Sequence, residues 1–324
     1  MALSRAALLF CIKLALSGLL LWFVLTRVDV RDITARLRTA DIRWLIPAFA
    51  LAPAVIALSA WRWRLLSLGL IKFNDALSYT WIGLFFGSIL PGVVGGDVAK
   101  GVLLAAKNPD TRDSRLPVSI LVDKLVGFWV LLLLFNLVAW GLLASQPQLL
   151  AGARGAIGLT GFVTFAGLIG GIALCSQRGQ HLLNRLAVLQ PFAPLRALAK
   201  HLVAAVGSYA GQGPILLKAA LIGALIHALN AFGFWLTMHA LAIPATPWFA
   251  AVFYALLSVL LALPISISGV GVRDVLAAGM FSAFSLNPES GVAFSWLQLG
   301  LGLPVALIGG LIQLREVFRR RASN

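Results

Sequence analysis

The chain is a succession of apolar runs long enough to cross a membrane. A helix needs about 20 apolar residues to span the hydrocarbon core of a bilayer, and 60% of the 324 residues are hydrophobic while only 11% are charged. Lipid admits only helices and closed barrels, because every backbone N–H and C=O must find a partner inside the protein. The ten-residue alternation typical of a barrel is absent from the sequence. The sequence therefore predicts an all-α, polytopic integral membrane helical bundle.

We predict about eight transmembrane helices. The runs cover residues 6–25, 45–66, 76–91, 117–143, 154–175, 215–241, 247–265 and 291–314. The first run is interpreted as a retained helix, since no small-residue cleavage site follows it. The third and seventh runs end at breaks rich in Pro and Gly, and a broken run that dips into the membrane and returns would change the topology.

The runs are predicted to form one membrane domain, 1–324, in two halves. The halves cover about 1–175 and 215–324, and the connector 176–214 carries apolar residues at helical spacing opposite Arg196, Lys200 and His201. This pattern predicts an amphipathic helix in the membrane interface. The helix is either a plain structural connector or a lipid-contacting or gating element.

The net charge of +15 favours membrane lipids over nucleic acid as partners. The Lys and Arg residues are scattered through the short segments between apolar runs, which is typical of membrane proteins. Such a surface attracts anionic headgroups. Because the basic residues do not separate onto alternate loops, the charge pattern leaves the orientation of the chain open.

The first break is the segment LPGVVGGDVAK, residues 90–100. It places Pro91, Gly92, Gly95 and Gly96 directly before Asp97. Proline removes a backbone donor and glycine weakens a helix, so the helix should open here and a new one should start near the carboxylate of Asp97. Irregular backbone at membrane depth needs cover from protein or a wet cavity. The alternative is a tight turn at the membrane surface with Asp97 as a helix cap.

The second break is the segment LPISISGVGVRD, residues 263–274. Its breaking and polar residues before the charged pair are Pro264, Ser266, Ser268, Gly269 and Gly271. Arg273 can hold a phosphate in a bidentate fork, and the serine hydroxyls can bind freed backbone groups or a headgroup. The competing interpretation is an ion pair from Arg273 to Asp97 or Asp274 that only ties the two halves together.

Paired breaks in corresponding positions are typical of transporters. Many transporters consist of internal repeats and bind their cargo at interrupted helices where the repeats meet. The two segments therefore predict an internal repeat of two halves, either inverted or parallel, with a polar cavity between them.

Other polar residues lie inside the apolar runs. Asp123 and Lys124 start the fourth run, and we expect partners from the broken segments or from lipid phosphate, although Lys124 could also snorkel to the interface. His227 and Asn230 share a helix face, with His239 further along. Without carboxylates at ligand spacing, interhelical hydrogen bonding is favoured over a metal site, so neither a metal nor a cofactor is expected.

Several motifs together resemble a known family. They are Arg62, Trp63 and Arg64, the segments LPGVVGGDVAK and LPISISGVGVRD, and VDKLVGF around Asp123. Together they resemble the membrane region of the lysylphosphatidylglycerol synthase family, also called the flippase-like group, over nearly the whole chain. The resemblance implies an inner-membrane helical bundle whose best-characterised relatives move an aminoacylated anionic phospholipid between leaflets, while other relatives belong to hopanoid or glycolipid pathways.

The chain departs from that family in two respects. The bifunctional synthases carry a soluble aminoacyl transferase domain after the membrane region, and this chain ends at Asn324, so we expect that it does not make lysylphosphatidylglycerol. Family members often have Arg at the positions of Lys100 and Lys124, where Lys keeps the charge but loses the bidentate fork.

The sequence thus predicts a lipid translocase, without catalytic residues, in a bacterial-type inner membrane. Its headgroup site is predicted to consist of Asp97, Lys100, Asp123, Lys124, Ser266, Ser268 and Arg273. The cargo would be an anionic or modified phospholipid, or a polyprenyl or hopanoid-type lipid. The alternatives are an intramembrane lipid-modifying enzyme and a scaffold for a lipid or envelope biosynthesis complex. Further partners could be lipid-biosynthesis enzymes or a second copy of the chain.

Overall fold

The fold is all-α, as the sequence predicts. The computed structural model describes residues 18–89, 95–107, 115–145, 154–174, 176, 207–261 and 269–323. Every regular element in these ranges is a helix. In chain order they are α1 (18–25), α2 (Val30–Arg38), α3 (Ile42–Leu66), α4 (Phe73–Ile89), α5 (Gly95–Lys107), α6 (Arg115–Ser145), α7 (Arg154–Leu174), α8 (Gly213–Ala240), α9 (Pro247–Leu261), α10 (Val272–Ala283) and α11 (Pro288–Ser323).

Five of the described helices are long and apolar enough to cross a membrane. They lie within α3, α6, α7, α8 and α11 and correspond to the second, fourth, fifth, sixth and eighth predicted runs. The first run is described only from residue 18, in α1. The described parts of the third and seventh runs form α4 and α9. The residues that follow them, 90–94 and 262–268, lie outside the described residues.

The chain reverses direction between α4 and α5. A Cβ at Gly96 would lie 2.2 Å from the carbonyl oxygen of Gly83, and a Cβ at Gly87 would lie 3.9 Å from the Cα of Gly96. These glycines let the two backbones touch, which is a common packing mode between helices in membranes. Helices α4 and α5 therefore form an antiparallel hairpin, which we call hairpin 1.

A second hairpin follows from α9 and α10. Phe249 packs against Phe284, with ring centroids 4.9 Å apart, and Phe253 packs against Phe281 at 5.5 Å. Nearer the break, a Cβ at Gly269 would approach Leu261 to 2.9 Å. Positions early in α9 thus meet positions late in α10, so the two helices are antiparallel. We call this pair hairpin 2.

Helix α11 contacts both hairpins. A Cβ at Gly291 would lie 2.6 Å from the carbonyl oxygen of Ala277 in α10, and a Cβ at Gly309 would lie 2.0 Å from the carbonyl oxygen of Trp81 in α4. Close backbone approach at small residues replaces the hydrophobic driving force that is missing between helices in lipid. Helix α11 therefore packs against one helix of each hairpin.

The chain divides into two compact units. The first contains Met1–Ala57, Leu77–Lys100 and His227–Asn324, and the second contains Leu58–Ala76 and Gly101–Ile226. The contacting parts of both hairpins belong to the first unit, whose core is aromatic around Phe253, Phe281 and Phe294, all fully buried. The division into sequence halves at about 1–175 and 215–324 stays a prediction, and residues 177–206 of the predicted amphipathic connector lie outside the described residues.

Candidate functional site

Arg273 stands at the start of α10, directly after the second break. Its Nε donates a hydrogen bond to Ser295 Oγ in α11 at 2.9 Å, and Ser295 Oγ in turn donates to Asp274 Oδ1. The second oxygen of Asp274 accepts a hydrogen bond from the backbone N–H of Gly271 at 3.1 Å. Arg273 and Asp274 are therefore connected through a serine hydroxyl and not by the direct ion pair that the sequence left open.

The terminal nitrogens of Arg273 have no protein partner among the described residues. Ser295 takes the Nε–H, and the guanidinium offers five N–H donors in a planar fork. The side chain is half-buried, whereas Ser295 and Asp274 are buried. An arginine whose terminal nitrogens have no partner in the described part of the chain has the geometry to bind an oxyanion such as a phosphate.

The backbone before Arg273 depends on glycine. Gly269 and Gly271 have φ angles of +78° and +80°, a left-handed region that favours glycine over other residues. The Gly271 N–H then meets the Asp274 carboxylate three residues on, as at a helix N-terminus that a side chain caps. These two glycines of the predicted break thus set the direction in which α10 begins.

Asp97 and Lys100 form the polar part of hairpin 1. Asp97 lies in the first turn of α5, and its Oδ1 is 3.3 Å from Lys100 Nζ in a half-buried ion pair. A Cβ at Gly83 would come within 2.6 Å of Lys100 Cε, so the lysine stem lies across a glycine of α4. The structure therefore brings together two of the predicted site residues on one turn of α5.

Asp123 and Lys124 lie in the second unit, in α6. Arg62 in α3 binds Asp123 in a bidentate pair, with Nε to Oδ1 at 2.7 Å and Nη2 to Oδ2 at 3.2 Å. The sequence led us to expect the partner of Asp123 from the broken segments or from lipid phosphate, and that expectation is wrong. A carboxylate this deep in an apolar helix needs a cation, and Arg62 near the end of α3 supplies it.

Two glycines make room for the guanidinium of Arg62. A Cβ at Gly127 would lie 3.0 Å from both of its terminal nitrogens, and a Cβ at Gly223 would lie 3.4 Å from Nη1. Nearby, the Tyr209 hydroxyl donates to the backbone oxygen of Leu66. Burial, assisted by the Asp123 carboxylate, raises the pKa of Tyr209 to about 12, so this residue, which lies outside the candidate spans, remains a neutral donor at physiological pH.

The sequence also predicts interhelical hydrogen bonding at His227. Its Nδ1 is 2.7 Å from the Tyr254 hydroxyl, and this contact joins α8 to helix α9 of hairpin 2. His239 instead bonds the backbone oxygen of Trp235 in its own helix, with 3.1 Å between Nδ1 and the oxygen. Among the described residues, no group of three His, Cys, Asp or Glu side chains is placed to hold a metal ion.

Several predicted site residues lie outside the described residues. These are Pro91, Gly92, Pro264, Ser266 and Ser268. Of the rest, the first unit holds Gly95, Gly96, Asp97, Lys100, Gly269, Gly271 and Arg273, and the second unit holds Asp123 and Lys124.

Sequence reasoning missed Arg62 and Ser295 as members of these polar groups, and it considered Asp274 only as a direct ion-pair partner of Arg273. The spacing from Gly271 to Asp274 is that of a capping pair and could have indicated the role of the carboxylate. Ser295 stands alone in an apolar stretch, four residues after Gly291, which is the small-residue spacing of a close helix contact. Arg62 carries no such local signal, because its partner lies 61 residues away.

The sequence profile described as the lysylphosphatidylglycerol synthase TM region matches residues 10–310. The chain belongs to this family. Together with the apolar helices, the match identifies an integral membrane protein of a phospholipid-related family. Comparisons with curated proteins and with solved structures found no match.

Proposed function

We propose that this member of the lysylphosphatidylglycerol synthase TM family is a lipid translocase of a bacterial-type inner membrane. The cargo is an anionic or modified phospholipid, or a polyprenyl or hopanoid-type lipid, and the chemistry of Arg273 favours a headgroup that carries a phosphate. Its acyl chains stay in the bilayer while the headgroup binds at the hairpins.

The observation that carries this proposal is the hydrogen bonding of the Arg273 guanidinium. The guanidinium is fixed by Ser295 through Nε, and its outer nitrogens have no protein partner among the described residues. A charge inside an apolar bundle is costly and is usually retained for a substrate path. A phosphate oxyanion is the ligand that best matches a planar pair of N–H donors.

Hairpin 1 supports the same proposal with different chemistry. The Asp97–Lys100 pair is half-buried in the first turns of α5, and the cation can turn towards an oxyanion while the carboxylate receives an ammonium or hydroxyl group. Phospholipid headgroups offer both kinds of group. The headgroup roles predicted for Asp123 and Lys124 remain part of the proposal, with Asp123 engaged by Arg62.

The test is lipid translocation by the purified full-length protein in sealed vesicles. Fluorescent phosphatidylglycerol in one leaflet is followed by its loss of protection from an impermeant quencher, for wild type, Arg273→Ala, Asp97→Ala and Arg38→Ala. Arg38 is an exposed arginine at the end of α2 and serves as the matched control. We expect Arg273→Ala to slow translocation at least about tenfold, because a hydrogen bond to a charged group contributes about 1.5–3 kcal/mol, and Arg38→Ala to leave it unchanged.

Other outcomes would replace the proposal. Arg273→Ala and Asp97→Ala variants that fold and translocate like wild type would remove these residues from the site. Failure of the wild type to move phosphatidylglycerol, its lysyl form or a polyprenyl phosphate would favour the scaffold. A covalently altered lipid detected by mass spectrometry would identify an intramembrane lipid-modifying enzyme.

A further inference from the structure

We infer that Ser295 is a positioning residue for Arg273, and that Asp274 anchors Ser295 so that the guanidinium offers only its two terminal nitrogens to a phosphate oxyanion. This inference rests on the proposed function, since it names how the same site presents its cation.

The direction of the hydrogen bonds in this group is fixed by chemistry. An arginine Nε–H can only donate, and an ionised carboxylate can only accept. Ser295 Oγ therefore accepts from Arg273 and must turn its own hydrogen to Asp274. The carboxylate thus holds the serine in the one orientation that leaves its lone pairs facing the guanidinium.

Burial makes this arrangement obligatory. Ser295 is 0% exposed and Asp274 is 2% exposed, so bulk water does not replace a lost partner, and an unsatisfied buried polar group is costly. Asp274 also accepts the Gly271 N–H, which gives both of its oxygens a donor. The pair is therefore a fixed support, and the half-buried Arg273 is the member whose terminal nitrogens have no partner among the described residues.

The contact between α10 and α11 at Gly291 fixes the position of Ser295 relative to Arg273. Ser295 lies four residues after Gly291, and Gly291 touches the backbone of α10 at the carbonyl of Ala277. Residues four apart lie on the same helix face, so the close approach at Gly291 sets the distance from Ser295 to Arg273. A larger residue at 291 would separate the two helices and with them the hydroxyl and the guanidinium.

An arginine held at Nε presents its outer edge to the ligand. The side edge, formed by Nε and one terminal nitrogen, is blocked by Ser295, which leaves the two terminal nitrogens. Two non-bridging oxygens of a phosphate match such an edge. The geometry points to a phosphate oxyanion, and the same chemistry could come from a lipid phosphate or from free inorganic phosphate.

Binding measurements separate this inference from transport. Short-chain phosphatidylglycerol and inorganic phosphate are each titrated into the full-length protein in detergent, with tryptophan fluorescence as the signal. The variants are Ser295→Ala, Ser295→Thr, Asp274→Asn, Arg273→Ala and the double variant Arg273→Ala with Ser295→Ala. A thermal unfolding midpoint for each variant shows which ones fold.

We expect Ser295→Ala and Asp274→Asn each to weaken phosphatidylglycerol binding by about tenfold, the equivalent of one hydrogen bond to a charged group. Ser295→Thr keeps the hydroxyl and should restore binding to near wild type. The double variant should bind no more weakly than Arg273→Ala alone, because Ser295 acts only through Arg273. A purely structural serine would instead add its effect to that of Arg273→Ala.

The results that would contradict the inference differ from those that would contradict the proposed function. Loss of binding in Arg273→Ala with wild-type binding in folded Ser295→Ala would overturn the inference and leave the proposed function standing. Equal binding by wild type and Arg273→Ala would overturn both. If inorganic phosphate binds as tightly as phosphatidylglycerol in an Arg273-dependent manner, the site takes the free anion and the lipid assignment is wrong.

Discussion

At the scale of single residues, the second unit shows how a buried charge is compensated. The Arg62 and Asp123 side chains are 10% and 15% exposed and meet in a bidentate pair. Desolvation makes such a pair roughly neutral compared with apolar residues, whereas removal of one partner leaves an uncompensated charge. The pair therefore adds little to the total stability, but each of the two charges needs the other to avoid the cost of being buried without a counter-ion.

Removal of one member of the pair should destabilise the protein more than removal of both. We expect Arg62→Ala to lower the free energy of unfolding by about 3 kcal/mol, because Asp123 would lose its cation. The combined Arg62→Leu and Asp123→Leu variant should recover most of that loss. Unfolding midpoints in detergent, with exposed Arg38→Ala as the control, measure this; an Arg62→Ala protein as stable as the control would contradict it.

This pair also marks a limit of sequence reasoning at the residue scale. The position of Asp123 in an apolar run indicates that it needs a partner, and the structure shows one. The identity of that partner depends on which helices lie side by side, which is set by glycines such as Gly127 that leave space for the guanidinium. The same holds for Ser295, whose role exists only because α11 approaches α10.

At the scale of elements, the two breaks follow from local chemistry, whereas the hairpins depend on contacts between separate helices. Helices α4 and α9 are described up to Ile89 and Leu261, each within two residues of a Leu-Pro pair, and proline disfavours helical geometry in the residue before it. Because these signals are local, the sequence predicts a break in each of these two runs. The sequence allowed a run that dips into the membrane and returns, but it did not predict the contacts that form the hairpins, which are Gly83 with Gly96 in hairpin 1 and the phenylalanine pairs in hairpin 2.

Hairpin 1 should be intolerant of a methyl group at its contact. In Gly96→Ala the new Cβ would lie 2.2 Å from the carbonyl oxygen of Gly83, so α5 must move away and take Asp97 and Lys100 with it. We expect a loss of both thermal stability and lipid translocation. Gly87→Ala, on the facing helix, meets its nearest neighbour at 3.9 Å and should be neutral or slightly stabilising, because alanine favours helix by up to about 1 kcal/mol over glycine.

A comparison of Gly96→Ala with Gly87→Ala separates the effect of the backbone contact from the effect of helix propensity. Both replace a helical glycine of hairpin 1 with alanine, so a general effect of lost flexibility would appear in both. Equal stability and activity of the two variants would show that the close approach of Gly83 and Gly96 does not hold the hairpin together.

At the scale of the whole molecule, the helix contacts say more than the charge pattern about which ends of the helices share a side of the membrane. Arginines cluster at 27–43 and again at 315–321, so a count of basic residues does not distinguish the two faces. The structure adds that α2 contacts α11 and that the N–H of Asp41, just before α3, donates to the carbonyl of Ala240 at the end of α8. The start of α3 and the end of α8 therefore lie on one face of the first unit, and the early residues of α11 pack in the same core as Ile33 of α2.

These contacts predict the sidedness of three positions. Thr39 precedes α3, Asn287 precedes α11, and Ser323 closes α11, whose segment Pro288–Phe318 is long and apolar enough to span the bilayer. In a background with Cys11→Ser and Cys175→Ser, an impermeant maleimide should label Thr39→Cys and Asn287→Cys from the same side of sealed vesicles and Ser323→Cys from the other. Leu225→Cys, an exposed apolar position within α8, is the control that should resist labelling, because its surroundings are lipid. Labelling of Thr39→Cys and Asn287→Cys from opposite sides would contradict the packing of α2 against α11, and labelling of Asn287→Cys and Ser323→Cys from one side would mean that α11 does not cross.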